Sequence, residues 1–166
     1  MILLATLCAT MAFGQSPYKY LKLENSQIYF EKVYLVDSLK ASEVEKLLFL
    51  KLPSMVVNLD KITDFIITAK INNIHIDFQK YGGKYYGVWE RITFPFDAEV
   101  FITWKEGKYK VIASNMYLGG GSLSEDFTTK KDYTKLDTNS LLISAGQIIE
   151  QYLADLFLFK PEKMDW

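Results

Sequence analysis

The stretch at residues 97–118, DAEVFITWKEGKYKVIASNMYL, reads as two strands joined by a tight turn. Alternating apolar and polar residues run up to Glu106-Gly107 and away from it, and glycine supplies the positive φ that a two-residue hairpin turn requires. The turn sets the register: Lys105 opposite Lys108, Trp104 opposite Tyr109, Ile102 opposite Val111 and Val100 opposite Ala113. The last three pairs make one apolar face. The other face carries Thr103 with Lys110, Phe101 with Ile112, Glu99 with Ser114 and Asp97 with Met116, polar at its margins and apolar at its centre.

Elements on either side of the hairpin fit the same architecture. Residues 27–36, QIYFEKVYLV, are aromatic and branched and predict a first strand. Asp37 and Ser38 offer capping oxygens, with Ser42 and Glu45 as an alternative box, for a helix whose apolar positions Val44, Leu47, Leu48 and Leu52 recur at helical spacing before Pro53 stops it. In residues 65–78, FIITAKINNIHIDF, the apolar residues shift parity between Ile71 and Ile74, so Asn72-Asn73 must hold a bulge or a tight turn; a bulge within one long strand is the favoured reading. Residues 119–140 are polar and predict a long connection with little structure of its own. From Leu141 a second amphipathic helix is predicted to about Phe159, with Leu142, Ala145, Ile149, Tyr152, Leu153 and Leu156 on its stripe, widened by Ile148 and Phe157. The expected fold is α+β: a curved antiparallel sheet with two helices packed on one face, in two layers.

Nineteen basic and twenty acidic residues give a formal charge of −1, which supplies no net field for nucleic acid or an anionic membrane surface. Met1 to Gly14 lack any charge, and Ala12 and Gly14 flank Phe13 in the small-x-small pattern of a signal-peptidase site. Residues 1–14 therefore predict a signal peptide, although no Lys or Arg precedes the apolar run, and residues 15–166 a single α+β domain with its core at about 27–158. Cys8, preceded by Leu7 rather than a small residue, does not fit a lipidation site. Cleavage would remove this one cysteine and leave neither disulfide nor thiolate.

Chemical motifs fail one by one. A single histidine, His75, excludes a multi-histidine metal site, no calcium-binding loop is present, and neither metal nor cofactor is expected. His75 and Asp77 fall on one strand face, and such a pair could orient an imidazole, but no nucleophile accompanies it. Gly120-Gly121-Ser122-Leu123-Ser124 misses the last glycine of a nucleophile elbow, and Gly82, Gly83, Lys84 and Gly87 do not complete a phosphate loop. Asp97 and Glu99, two apart on one strand, could serve as paired carboxylates for glycoside hydrolysis or simply form a solvated margin. Two surfaces remain. Tyr81, Tyr85, Tyr86 and Trp89 sit in a glycine-rich segment, either as contact area for a sugar or protein or as rings folded back on the core. Phe101, Ile112 and Met116 form the second, an apolar patch that is exposed unless residues 119–140 cover it.

The leader ending FGQ at residues 13–15, YFEKVYLVDSLKASEVEKLL at 29–48, IITAKINNIHIDF at 66–78, ITWKEGKYKV at 102–111 and the closing helix together resemble a secreted bacterial domain-of-unknown-function family with a TATA-binding-protein-like fold. The resemblance spans about residues 27–158. It departs at the inserted segment 79–95 and in lacking a glycine near Ala69. It implies fold and export, carries no implication of DNA binding, and offers no catalytic residues to transfer. The expectation is an exported, non-enzymatic binding or assembly module of the periplasm or cell surface. Its partner would be an envelope protein, a glycan or a second copy, with no nucleic acid and no membrane insertion after processing. A carboxylate-based hydrolase and a structural dimer joined through the open sheet face are the alternatives.

Overall fold

A computed structural model of the chain describes residues 16–52, 57–86, 89–128, 136–137 and 139–159, with the backbone alone at 57–59. The expected signal peptide lies outside the described residues. The elements are β1 (Leu21–Glu24), β2 (Gln27–Leu35), α1 (Ala41–Lys51), β3 (Val57–Thr63), β4 (Ile66–Ile74), β5 (Phe96–Lys105), β6 (Lys108–Leu118), β7 (Gly121–Ser122), α2 (Leu123–Phe127) and α3 (Ser140–Leu156). Single 3-10 turns occupy Phe78–Tyr81 and Glu90–Thr93.

All seven strands form one antiparallel sheet in the order β1-β2-β6-β5-β4-β3, with β7 added to β6. The hairpin register is as expected from Lys105↔Lys108 through Glu99↔Ser114. Beyond that it shifts. Asn115 takes φ 47, a bulge that inserts one residue, so Asp97 pairs with Tyr117 and not with Met116. Met116 is thereby turned from the outer face into the core, where it is 2% exposed. The anticipated bulge in β4 is present: Asn73 has φ 56 and the register slips between Ile71 and Ile74.

Ile67, Ala69 and Ile71 of β4, Val100, Ile102 and Trp104 of β5, Tyr109, Val111 and Ala113 of β6 and Phe30 and Tyr34 of β2 point into one core, which also takes Val44, Leu47 and Leu48 of α1 and Ala145, Ile149 and Leu153 of α3. Both long helices therefore cover the same face of the sheet. Tyr34 Oη donates to Ala154 O (3.1 Å), and the buried Glu150 carboxylate accepts the Leu21 N–H (2.8 Å) and the Tyr20 N–H, fastening α3 to the β1–β2 side.

Several local expectations are corrected. β4 ends at Ile74, because the bulge at Asn73 turns the chain out of the sheet and residues 78–81 coil into a 3-10 turn. Helix α1 is capped by neither Asp37, Ser38 nor the Ser42–Glu45 box; Glu43 reaches back to the Lys40 N–H (2.7 Å). The segment after β6 contains β7 and α2, whose Leu123 and Phe127 are buried, so its first part is structured. Helix α3 closes at Leu156, one turn before Phe159.

Candidate functional site

Among the described residues no helix covers the outer face of the sheet. Its alternating positions are Asp97, Glu99, Phe101, Thr103 and Lys105 on β5, level with Tyr117, Ser114, Ile112, Lys110 and Lys108 on β6. Phe101 is 43% exposed and Ile112 half-buried beside it. Val33, opposite Lys110, and Leu35, opposite Lys108, extend the apolar strip onto β2. Charges cross the strands around this strip: Glu31 pairs with Lys22 and with Lys110 (3.7 Å), and Lys70 with Glu99 (3.6 Å). The Lys22 hydrogen bond holds the Glu31 carboxyl below its ordinary range.

At one end of the face the two bulges meet. Asp97 Oδ1 accepts the Asn73 N–H (2.8 Å), and Glu99 Oε2 accepts from the Asn115 side-chain amide (2.8 Å). Each carboxylate thus pins one strand irregularity, and between them opens a concavity of about 600 Å3 lined by Lys70, Ile71, Asn72, Asp97, Ala98, Glu99, Asn115, Tyr117 and Gly120. The sequence pairing of Asp97 and Glu99 is realised on one face. Lys70, Asn115 and Tyr117 were not identifiable beside them: Lys70 comes from β4, whose pairing with β5 closes a long connection, and Asn115 and Tyr117 are placed by the bulge in β6.

The other end of the face is cationic. Lys105 and Lys108 stand directly opposite each other with Lys110 one step away. Among the described residues neither Lys105 nor Lys108 has a carboxylate within ion-pair distance.

The remaining sequence-derived residues are dispersed. Tyr81 packs edge-on against Tyr152 (6.4 Å between centroids), Tyr85 against Phe78 (5.2 Å) and Trp89 against Phe127 (5.5 Å), while Tyr86 is fully exposed. Trp89 also lies under Arg91, which pairs with Asp126 (2.6 Å). Tyr81 and Trp89 therefore fold back on the body of the protein, whereas Tyr85 touches Phe78 and stays exposed like Tyr86. His75 lies beyond β4, its Nδ1–H donating to Thr93 O (3.2 Å), and Asp77 Oδ1 accepts the Lys80 N–H (3.3 Å) to cap the 3-10 turn, so the expected strand pairing of His75 with Asp77 is not formed. Among the described residues no group of three His, Cys, Asp or Glu could hold a metal, and no helix is long and apolar enough to cross a membrane.

No protein-family model matches the sequence, and no curated protein matches it significantly. Among solved structures, the chain is similar to a TBP-like protein from Parabacteroides distasonis ATCC 8503, at 12% identity over 82% of this chain and 94% of that one, with a TM-score of 0.50. A DUF4468 family protein from Bacteroides ovatus ATCC 8483 aligns at 12% identity over 86% of this chain and 92% of that one, with a TM-score of 0.48. With its single antiparallel sheet and helices on one side, the chain has the TATA-binding-protein-like fold. This is the fold the sequence resemblance implied.

Proposed function

We propose that the protein is an exported, non-enzymatic binding or assembly module of the bacterial cell envelope, and that its uncovered sheet face does the binding. The reading rests on one observation: Phe101 stands exposed beside Ile112 at the centre of that face, with ion pairs at the margins. An apolar centre within a polar rim is the composition of an interaction patch. Export follows from the reading of residues 1–14 and stands or falls separately.

The test is fractionation of cells producing the chain with a C-terminal tag, followed by capture from envelope extract with wild type, Phe101→Asp and Trp89→Ala. The expected result is recovery outside the cytoplasm and a retained species that Phe101→Asp loses and Trp89→Ala keeps. Cytoplasmic recovery overturns export, and equal capture by all three chains overturns the assignment of the face.

A second reading, a carboxylate hydrolase, draws on Asp97 and Glu99 sharing one concavity with Lys70. Turnover of aryl glycosides that disappears in both Asp97→Asn and Glu99→Gln would establish it in place of the first.

A further inference from the structure

The charge pattern of the open face is complementary to itself. Along β5 and β6, Asp97 and Glu99 lie on one side of the Phe101–Ile112 pair, and Lys110, Lys105 and Lys108 on the other. Lys105 and Lys108 face each other across the turn, an arrangement that like charges oppose within a single sheet. The opposite end offers two carboxylates in a concavity of about 600 Å3, where Lys70 pairs with Glu99 (3.6 Å) and Asp97 has no ion-pair partner among the described residues.

We infer that the first occupant of this face is a second copy of the same chain, packed face to face about a two-fold axis that crosses the strands at Phe101 and Ile112. The inference rests on the open-face reading above and names its partner. Reversing the strand direction about that axis exchanges the ends of the strip. Lys105 of each copy then lies over Asp97 of the other, Lys108 over Tyr117 beside that carboxylate, and Lys110, paired with Glu31 of its own chain, over Ser114 beside Glu99, while the Phe101 rings meet at the centre. An axis along the strands would instead stack lysine on lysine and carboxylate on carboxylate, so the charges select one of the two symmetric arrangements. The contact is isologous, so it closes on itself and stops at two copies.

The experiment is sedimentation of the full chain across salt, with two charge-reversed variants, Lys105→Glu/Lys108→Glu and Asp97→Lys/Glu99→Lys, each checked for folding by circular dichroism. Expected is a wild-type dimer that weakens between ~0.01 and ~1 M salt as screening shortens. Each reversed chain alone should dissociate ~10-fold or more easily, since its juxtaposed charges now repel. Mixing the two reversed chains should restore a 1:1 dimer. The reversed charges at 105 and 108 then face the reversed charge at 97 while the native Asp97 faces the native Lys105 and Lys108, and like charge is left at only one contact, between Lys110 and position 99. That recovery cannot arise from misfolding.

A wild-type chain that stays monomeric, or a dimer equally stable in both reversed variants, overturns the inference. Where the wild type is monomeric yet still loses its envelope partner on Phe101→Asp, self-association fails and the open-face reading stands. A dimer indifferent to Phe101→Asp as well as to the reversals overturns both.

Discussion

Tyr34 stacks on Tyr109, with ring centroids 4.9 Å apart and planes 9° from parallel. The stack crosses β2 and β6, strands joined only after most of the chain has been made, and both hydroxyls are spent on the segment that ends the core. Tyr34 Oη donates to Ala154 O, while Tyr109 Oη donates to Phe157 O (2.5 Å) and accepts the Phe159 N–H (3.1 Å).

Tyr109→Phe keeps the stack and leaves Phe157 O and the Phe159 N–H with only their bond to each other (3.1 Å). Losing a buried hydrogen bond costs about 0.5–1.5 kcal/mol. A urea titration should show the midpoint falling by the corresponding amount with the slope unchanged, and an unaltered midpoint would remove these bonds from the account of stability.

The same tyrosine predicts alkaline weakening. Burial raises the Tyr109 pKa to about 12 and that of Tyr152 likewise to about 12. Between the ordinary value near 10 and about 12, the unfolded chain releases protons that the folded chain retains, so stability is fully present below pH 10 and is lost as pH rises toward 12. Urea midpoints at pH 8, 10 and 11 should decline in that order, and Tyr109→Phe should flatten the decline.

Glu150→Ala removes the carboxylate that takes the Tyr20 and Leu21 amides. The Leu21 amide should exchange with solvent much faster while amides in β5 keep their protection, since the loss is local to the α3–β1 junction. Equal acceleration in both strands would indicate global rather than local opening.

Phe101 and Met116 offer a paired test of which face each occupies. Met116→Asp places a carboxylate where methionine is 2% exposed and should unfold the chain or lower its stability by about 2–5 kcal/mol from lost packing alone. Phe101→Asp, on the solvent side, should change stability by less than about 1 kcal/mol. Comparable losses at both positions would contradict the bulge at Asn115.

Asn115 itself should accept glycine and refuse valine. At φ 47 a β-branched residue is strained by about 1–3 kcal/mol, whereas glycine adopts that conformation freely and sacrifices only the bond to Glu99. Thermal unfolding of the two variants should separate them in that order.

The contrast between the two bulges explains what could be read from the sequence. The bulge at Asn73 announced itself because Ile71 and Ile74 are both apolar and cannot share a face in an unbroken strand. The bulge at Asn115 was silent: Ser114-Asn115-Met116-Tyr117 gives a tolerable alternation either way, and only the core decides that methionine goes in and tyrosine out. Short edge strands such as β1, four residues of LKLE, carry too few alternations to stand out. Both long helices were legible from their stripes. The concavity was not, because it joins residues from β4, β5 and β6 through two offsets, one of which left no trace in hydrophobic pattern.

The sheet order also dictates when the protein can become whole. β3, β4, β5 and β6 form a meander of near neighbours, but β2 must wait for β6, pairing Phe30 with Ala113 across half of the chain. As the polypeptide emerges from the ribosome, the β1–β2 hairpin is made early and has nowhere to dock until the last strands arrive. During that interval Phe30 and Tyr34 are bare, which makes the nascent N-terminal third the portion most in need of a chaperone's hold.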